Sequence, residues 1–211
     1  SWGGNYYGQL GQGDYFIGRS SPVQVGTLTT WSLAAGGTFH TIATKTDGTL
    51  WSWGYNAYGQ LGQGDRIHRS SPVQVGSLTN WSSISCSAYR TIATKTDGTL
   101  WSWGQNLYGQ LGLGDRTNRS SPVQVGSLTN WSLISGGQYH TIATKTDGTL
   151  WSWGDNDRGQ LGQGDRIHRS SPVQVGSLTN WSSISCGSEC TIATKNDGTL
   201  WSWGRNSYGQ L

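Results

Sequence analysis

Short runs of apolar and β-branched residues alternate with clusters of Gly, Asn, Asp and Ser along the whole chain. In the best-defined stretch the pattern predicts four strands, at Leu50 to Trp53, Pro72 to Val75, Trp81 to Ser85 and Thr91 to Lys95. No stretch has a sustained helical period, so no helix is predicted. Strand alternation places Trp51 and Trp53 on one face, and Ile84 on the face opposite Trp81.

Large side chains are therefore expected on both faces of the sheet, which favours a sheet packed between two others. The turn signal Asp97-Gly98 lies between two predicted strands. It predicts a two-residue hairpin turn in which both residues have positive φ. Neighbouring strands are thus expected to run antiparallel.

The same pattern returns about every fifty residues, which is the length of a propeller repeat. W-S-W-G begins at Trp51, Trp101, Trp151 and Trp201. We divide the chain into repeats 1–50, 51–100, 101–150 and 151–200 and a partial repeat 201–211. Such units gain stability by stacking on their neighbours, so residues 1–211 are expected to form a single repeat array. The predicted fold is all-β, a β-propeller of four-stranded antiparallel blades, with four full repeats plus a terminal stub.

Composition limits the classes of function. The chain has 33 Gly, 13 Trp and a formal charge of +3. Without a basic stripe we expect no nucleic acid as partner, and without a long apolar run we expect no membrane span. No secretion signal is recognised at the N-terminus. Of the three cysteines, Cys86 and Cys186 occupy the position of Gly36 and Gly136, which favours a small buried residue and a reducing compartment, while the localisation stays open.

Three motifs in fixed order carry a family resemblance. The strings W-S-W-G-x-N-x-x-G-Q-L-G-x-G-D, R-S-S-P-V-Q-V and H-T-I-A-T-K-x-D-G-T-L resemble the regulator of chromosome condensation repeat, over essentially the whole chain. The resemblance implies a β-propeller, usually with seven blades, and members that include a nucleotide exchange factor, a plant ultraviolet-B photoreceptor and a secreted β-lactamase inhibitor. It transfers the fold and not the function. With four repeats, a smaller ring, head-to-tail closure by further chains and membership of a longer array all stay open.

The repeats differ from one another in three patches. The first patch follows W-S-W-G, the second follows the Trp81-type strand, and the third precedes Arg69, Arg119 and Arg169. Antiparallel strand directions place all three on one rim, and the near-constant turns on the other. Variable loops on a rigid scaffold are typical of a binding face, although exposed loops also drift after duplication.

The candidate partner-binding residues are drawn from these patches. They are Tyr55, Ala57, Tyr58, Arg66, His68, Tyr89, Arg90, Gln105, Leu107, Tyr108, Tyr139, His140, Asp155, Asp157, Arg158, His168, Glu189 and Arg205. Replacing Tyr55, Tyr58 and Arg158 by Ala is expected to leave melting nearly unchanged, because surface substitutions cost little.

Metal, cofactor and catalytic chemistry are not predicted. His40 and His140 share a position with Arg90 and Cys190, so a ring of metal ligands would be interrupted. Asp155-Asn156-Asp157 lacks the closing Glu of a calcium loop. No nucleophile recurs with a base and an orienting acid.

The sequence therefore predicts a non-enzymatic protein-interaction scaffold that presents a variable loop rim and uses no cofactor. Its partner is a protein or a second copy of the chain joined head to tail. An alternative is a structural subunit of a larger ring or a virion-like appendage. A third, a nucleotide exchange factor, rests on the family resemblance alone.

Overall fold

The computed structural model describes residues 1–211 and contains fifteen β-strands and no helix. The strands form three four-stranded sheets and one three-stranded sheet, and every pairing within them is antiparallel. The all-β prediction is confirmed. No helix of the length and apolar character needed to cross a membrane is present.

Each sheet is a blade, named in chain order. Blade 1 contains β1 (Trp31–Gly36), β2 (His40–Lys45), β3 (Leu50–Gly54) and β4 (Arg69–Gln74). Blade 2 contains β5 (Trp81–Cys86), β6 (Arg90–Lys95), β7 (Leu100–Gly104) and β8 (Arg119–Gln124). Blade 3 contains β9 (Trp131–Gly136), β10 (His140–Lys145), β11 (Leu150–Gly154) and β12 (Arg169–Gln174). Blade 4 contains β13 (Trp181–Cys186), β14 (Cys190–Lys195) and β15 (Leu200–Gly204).

Blades and sequence repeats are out of phase. The first two strands of a four-stranded blade come from one repeat and the last two from the next, as β2 and β3 of blade 1 show. Each sheet therefore joins two copies of the repeat covalently, which ties the array together.

The hairpin between β6 and β7 is present, but its predicted turn type is wrong. Gly98 has φ +75°, while Asp97 remains at negative φ. The Gly98 N–H donates to Lys95 O at 2.9 Å, and Asp97 Oδ1 accepts hydrogen bonds from both the N–H and the hydroxyl of Thr99. Asp97 thus keeps negative φ and only the glycine adopts the left-handed conformation, as in a turn with a glycine bulge.

The prediction for Ile84 is also wrong. Trp81 and Ile84 contact the same core cluster, although strict alternation would separate them. The register of β5 against β6 skips one residue between Trp81 and Ser83. This β-bulge adds a residue to β5 and returns Ile84 to the face of Trp81.

The core lies between blades. One cluster takes Ile42 and Leu50 from blade 1, and Trp81, Ala93 and Trp103 from blade 2. Trp51 and Trp53 both pack against Trp31, so the predicted shared face of these two tryptophans is confirmed. Burial of one indole, roughly 200 Å² of surface, contributes on the order of 5 kcal/mol before entropy is counted.

The blades are arranged as wedges. The first strands of successive blades, β1, β5, β9 and β13, lie side by side in pairs. The fourth strands β4, β8 and β12 have no comparable contact with the following blade. The first strands thus lie innermost and the fourth strands outermost, which is the geometry of a propeller.

A backbone carbonyl fastens each blade to the next. Gln60 O, in the loop that leaves β3, accepts hydrogen bonds from Trp103 Nε1 and Thr91 Oγ1 of blade 2, both at 2.9 Å. Gly62 lies against the indole, where an added Cβ would stand 2.8 Å from Trp103 Nε1. We call this contact the carbonyl latch. The same two bonds recur at Gln9, Gln110 and Gln160.

Candidate functional site

The two rims of the array differ as predicted. Loops 37–39 and 55–68 of blade 1 leave the same rim, because β1 and β3 run parallel to each other and antiparallel to β2 and β4. The equivalent loops of the other blades join them, and we call this the variable rim. The turns after β2, β6, β10 and β14 and the segments after β4, β8 and β12 form the constant rim.

An aromatic patch covers the variable rim at blades 1 and 2. Its six rings are Tyr7, Phe39, Tyr55, Tyr58, His68 and Tyr89. Tyr55 is central, with its ring centroid 4.6 Å from that of Tyr7 and 4.8 Å from that of His68. Tyr89 lies 5.2 Å from Tyr58 and stacks on Phe39. The structure thus brings together rings from all three variable patches.

Two members of this patch, Tyr7 and Phe39, were not among the predicted residues. Both belong to the first repeat, where they occupy the positions of Tyr58 and Tyr89. The register of the repeats was enough to identify them.

A shorter set of rings continues the patch over blade 3. The Tyr108 ring lies 5.2 Å from Tyr139 and 5.3 Å from His168, centroid to centroid. All three side chains are half-buried.

Three rings of the aromatic patch, Tyr55, His68 and Tyr89, are uncharged near neutral pH. Burial, with the neighbouring tyrosine hydroxyls, raises the pKa of Tyr55 and of Tyr89. Burial lowers the pKa of His68, whose Nδ1 accepts the backbone N–H of Asn56 at 2.9 Å. His68 is therefore a neutral hydrogen-bond acceptor at the base of the patch.

At blades 3 and 4 the variable rim carries charged side chains. Glu189 Oε2 and Arg205 Nη1 form an ion pair at 2.6 Å. Asp155 Oδ1 lies 3.2 Å from His168 Nδ1, and Asp157 Oδ1 lies 3.7 Å from His168 Nε2. The rim therefore changes from aromatic to charged along the array.

The Asp155, Asp157 and His168 group has the composition of a metal-ligand set, with its ligand atoms within 4.8 Å of one another. Protein donors already occupy its inner atoms. Asn156 N–H donates to His168 Nδ1 at 3.0 Å, and Gln160 Nε2 donates to Asp155 Oδ2 at 2.9 Å. Since those lone pairs are engaged, we assign no metal to the group.

Four predicted contact residues lie inside the protein instead of on its rim. These are Arg90, Gln105, His140 and Asp155, of which Arg90 is 1% and His140 0% exposed. Sequence variation alone gave no indication of this burial. They are therefore not part of the candidate interface.

Arg90 shows what the inner variable position does. Its guanidinium donates to Gln138 O at 2.9 Å and to Thr141 Oγ1 at 3.1 Å, both in blade 3 or its loops. It also donates to His140 O and to the hydroxyl of Ser87. Arg90 thus joins two blades, and this task requires a buried side chain.

The histidines at the same position do likewise. His40 Nε2 lies 3.0 Å from Thr91 Oγ1, and His140 Nε2 lies 3.1 Å from Thr191 Oγ1, each in the following blade. Burial lowers the pKa of His40 to about 4 and that of His140 to about 3. It also lowers the pKa of Arg90 to about 10. The histidines are therefore neutral at physiological pH.

Cys86 and Cys186 fit the small-residue interpretation. Their thiols face the preceding blade, with Cys86 Sγ 3.6 Å from Ala35 O and Cys186 Sγ 3.5 Å from Ser135 O. Burial raises the pKa of Cys86 to about 12 and that of Cys186 to about 11. Both thiols are therefore protonated at neutral pH.

The remaining predicted residues lie at the surface in two classes. The exposed ones are Arg66, Leu107, Asp157 and Arg158. The half-buried ones are Tyr55, Ala57, Tyr58, His68, Tyr89, Tyr108, Tyr139, His168, Glu189 and Arg205. Together with Tyr7 and Phe39 they form the candidate interface.

Known proteins share this fold and parts of this sequence. The family description "RCC1-like domain" matches residues 1–211. Among curated proteins, the chain is 42% identical over 67 residues to the human probable E3 ubiquitin-protein ligase HERC3, covering 31% of this chain and 6% of that protein. It is 42% identical over 67 residues to the Arabidopsis thaliana ultraviolet-B receptor UVR8, covering 31% of this chain and 15% of the receptor. Mouse RCC2 is 45% identical over 62 residues, which are 28% of this chain and 11% of RCC2.

Solved structures share the fold. Human WBSCR16 superposes with a TM-score of 0.83 at 24% identity, over 97% of this chain and 56% of that one. Yeast RCC1 (Prp20) bound to Kap60 gives 0.80 at 23% identity, over 92% and 48%. The chain spans about half the length of these structures and a small part of the curated relatives. The resemblance predicted from the motifs is confirmed, and the chain belongs to the RCC1-like domain family.

Proposed function

We propose that the protein is a non-enzymatic interaction scaffold whose variable rim binds a protein partner. The observation that carries this proposal is the aromatic patch, where rings from successive repeats converge around Tyr55. Half-buried tyrosines give large contact areas and hydroxyl groups at low entropic cost, and they are enriched as anchors in protein interfaces.

The loops that carry the patch are rigid, which supports a binding role. Asn56, fully buried, accepts the Leu61 N–H at Oδ1 and donates from Nδ2 to Asp65 O and Ile67 O. These bonds fix the loop from both sides. A fixed loop loses little conformational entropy when a partner binds.

The solved relatives also support a protein as the partner class. The yeast relative was solved with Kap60 bound, and its binding properties toward Gsp1p and histones are described. Those partners belong to the yeast protein. For this chain we extend only the general feature, a propeller surface that binds another macromolecule.

Affinity capture with matched variants tests the proposal. The rim variant is Tyr58→Ser with Tyr108→Ser, and the control is Leu78→Ser with Leu128→Ser, which changes exposed residues of the constant rim. We expect wild type and control to enrich the same protein, and the rim variant to lose it by at least about tenfold. The captured protein is then purified and titrated against all three forms. Equal affinity for all three would refute the proposal.

A further inference from the structure

Outside the aromatic patch, each loop between a third and a fourth strand, and the equivalent segment between Gly3 and Arg19, presents one side chain at its tip. The tips are Ile17, Ile67, Thr117 and Ile167. Ile17 is 56% exposed, and Ile67 and Ile167 are each 62% exposed. Phe16 stands beside the first tip and is 76% exposed. Large apolar side chains at equivalent exposed positions are not explained by core packing.

The backbone at these tips is fixed. Ile67 N–H donates to Asp65 Oδ1 at 2.9 Å, and Ile67 O accepts from Arg69 Nη1 at 3.0 Å. Ile167 has the same two bonds, each at 2.9 Å. The fold thus holds these aliphatic side chains in solvent on a rigid support, which is pre-organisation for contact.

Each of the three later tips has a cation next to it. Arg66, Arg116 and Arg166 are exposed and form no ion pair within the chain. The nearest acid in sequence is already engaged, because Asp65 pairs with Arg69 at 2.6 Å. The row therefore alternates uncompensated positive charge with apolar surface.

The first tip is built differently and is strained. Phe16 has φ +64° and is the only non-glycine residue with positive φ. Its N–H donates to Asn5 O at 2.7 Å, and the Tyr15 hydroxyl donates to His68 O at 3.3 Å, which ties this loop to the next. Strain at an exposed aromatic residue points to a function for its position.

We propose that this tip row, consisting of Phe16, Ile17, Arg66, Ile67, Arg116, Arg166 and Ile167, binds an acidic protein segment with apolar side chains between its carboxylates. The inference rests on the proposed function, since it assigns a partner chemistry to the outer part of the same rim. Carboxylates complement the unpaired arginines, and apolar side chains cover the isoleucines and Phe16.

Two other occupants fit the row less well. Insertion into lipid favours a continuous apolar edge, whereas Thr117 interrupts this one. Single-stranded nucleic acid requires rings on which bases stack, whereas the three later tips are aliphatic or hydroxylated. The row of separate charge and apolar pairs matches a peptide.

Fluorescence anisotropy with defined probes tests the inference. The probe is a labelled peptide of repeated Glu-Glu-Leu, and the control peptides replace Leu by Ser or Glu by Lys. We expect wild type to bind the first peptide only. Arg66→Glu with Arg116→Glu and Arg166→Glu should weaken binding at least about tenfold, and Ile67→Ser with Ile167→Ser about fivefold. Thr117→Ser is the matched control and should bind as wild type does.

Other outcomes overturn the inference. Binding of the Lys peptide as tightly as the Glu peptide would do so, and so would undiminished binding by the charge-reversed variant. The inference would also be refuted if the acidic peptide did not bind, whether or not the protein bound phosphatidylserine vesicles or poly(U).

The captured partner distinguishes failure of the tip-row inference from failure of the proposed function. If that partner is lost in Tyr58→Ser with Tyr108→Ser but retained by the charge-reversed variant, the tip-row inference fails and the proposed function stands. If capture is insensitive to both sets, both fail.

Discussion

Two arginines, Arg90 of blade 2 and Arg66 in a loop of blade 1, lie on the same rim and within patches that vary between repeats. Arg90 is buried and donates hydrogen bonds to the next blade. Arg66 is exposed and forms no ion pair. Variation between repeats therefore occurs at two kinds of position. Buried variable residues are interchangeable hydrogen-bond donors between blades, whereas exposed variable residues change the surface of the rim.

The inner position tolerates variation because its task is simple. His40, Arg90 and His140 each contact the threonine hydroxyl of the following blade. A polar side chain of sufficient length with an N–H can satisfy that group. The outer position has no partner within the chain, so only contacts with other molecules constrain it.

Among single substitutions, the largest expected effect comes from Arg90→Ala. The change leaves Gln138 O without a donor, removes one of the two donors to His140 O and opens a cavity, so we expect the free energy of unfolding to fall by about 3 kcal/mol. Urea unfolding followed by tryptophan fluorescence measures it. Arg90→His, which copies the other repeats, should cost only about 1 kcal/mol. A loss below about 1 kcal/mol for the alanine variant would remove the distinction between inner and outer positions.

The second effect is the pH dependence of stability. The pKa of His40 falls from its ordinary value of about 6.5 to about 4 on folding, and that of His140 to about 3. The unfolded state binds more protons between these values, so stability is highest above pH 6.5 and falls as the pH drops toward 4, by about 1.4 kcal/mol per pH unit per histidine. Thermal unfolding across this window measures it.

His40→Gln with His140→Gln is the variant for that test, because glutamine also donates a hydrogen bond but does not titrate. The slope of stability between pH 6.5 and 4.5 should flatten. An unchanged slope would mean that other groups produce it.

The third effect revises an expectation from the sequence. Tyr55 contacts five other rings, so Tyr55→Ala should lower the free energy of unfolding by about 2 kcal/mol instead of leaving it unchanged. Thermal denaturation compares it with Tyr55→Phe, which should remain close to wild type. An alanine variant as stable as the wild type would show that the ring contacts of Tyr55 do not stabilise the fold.

The smallest effect should come from Arg158→Ala. Arg158 is exposed and forms no ion pair, so its loss should change stability by less than about 0.5 kcal/mol. The same denaturation experiment measures it. A larger loss would place Arg158 with Arg90 among the scaffold residues.

The sequence predicted the strands well, because alternation and turn residues act within a few positions of each other. It failed where a local detail changed the geometry. Asp97 accepts hydrogen bonds from Thr99 and keeps negative φ, which altered the turn, and one extra residue in β5 moved Ile84 to the other face. Neither the turn type nor the β-bulge changes the pattern of apolar and polar residues from which the strands were predicted.

The site was predictable to the level of the rim and no further. Strand direction alone placed the variable loops together. The burial of Arg90 and His140 could not be predicted, because it depends on how closely the next blade approaches. The exposure of Ile67 was hidden for the opposite reason, since an isoleucine in a pattern is ordinarily read as core.

The carbonyl latch affects how the number of repeats in the gene can change during evolution. Its acceptor is a main-chain oxygen, and its donors, such as Trp103 and Thr91, recur in every unit, so any unit can follow any other. Loss of residues 51–100 by unequal crossing-over would bring Gln9 O onto Trp103 with every junction intact. Such a gene can lengthen or shorten in whole blades without passing through a misfolded intermediate form.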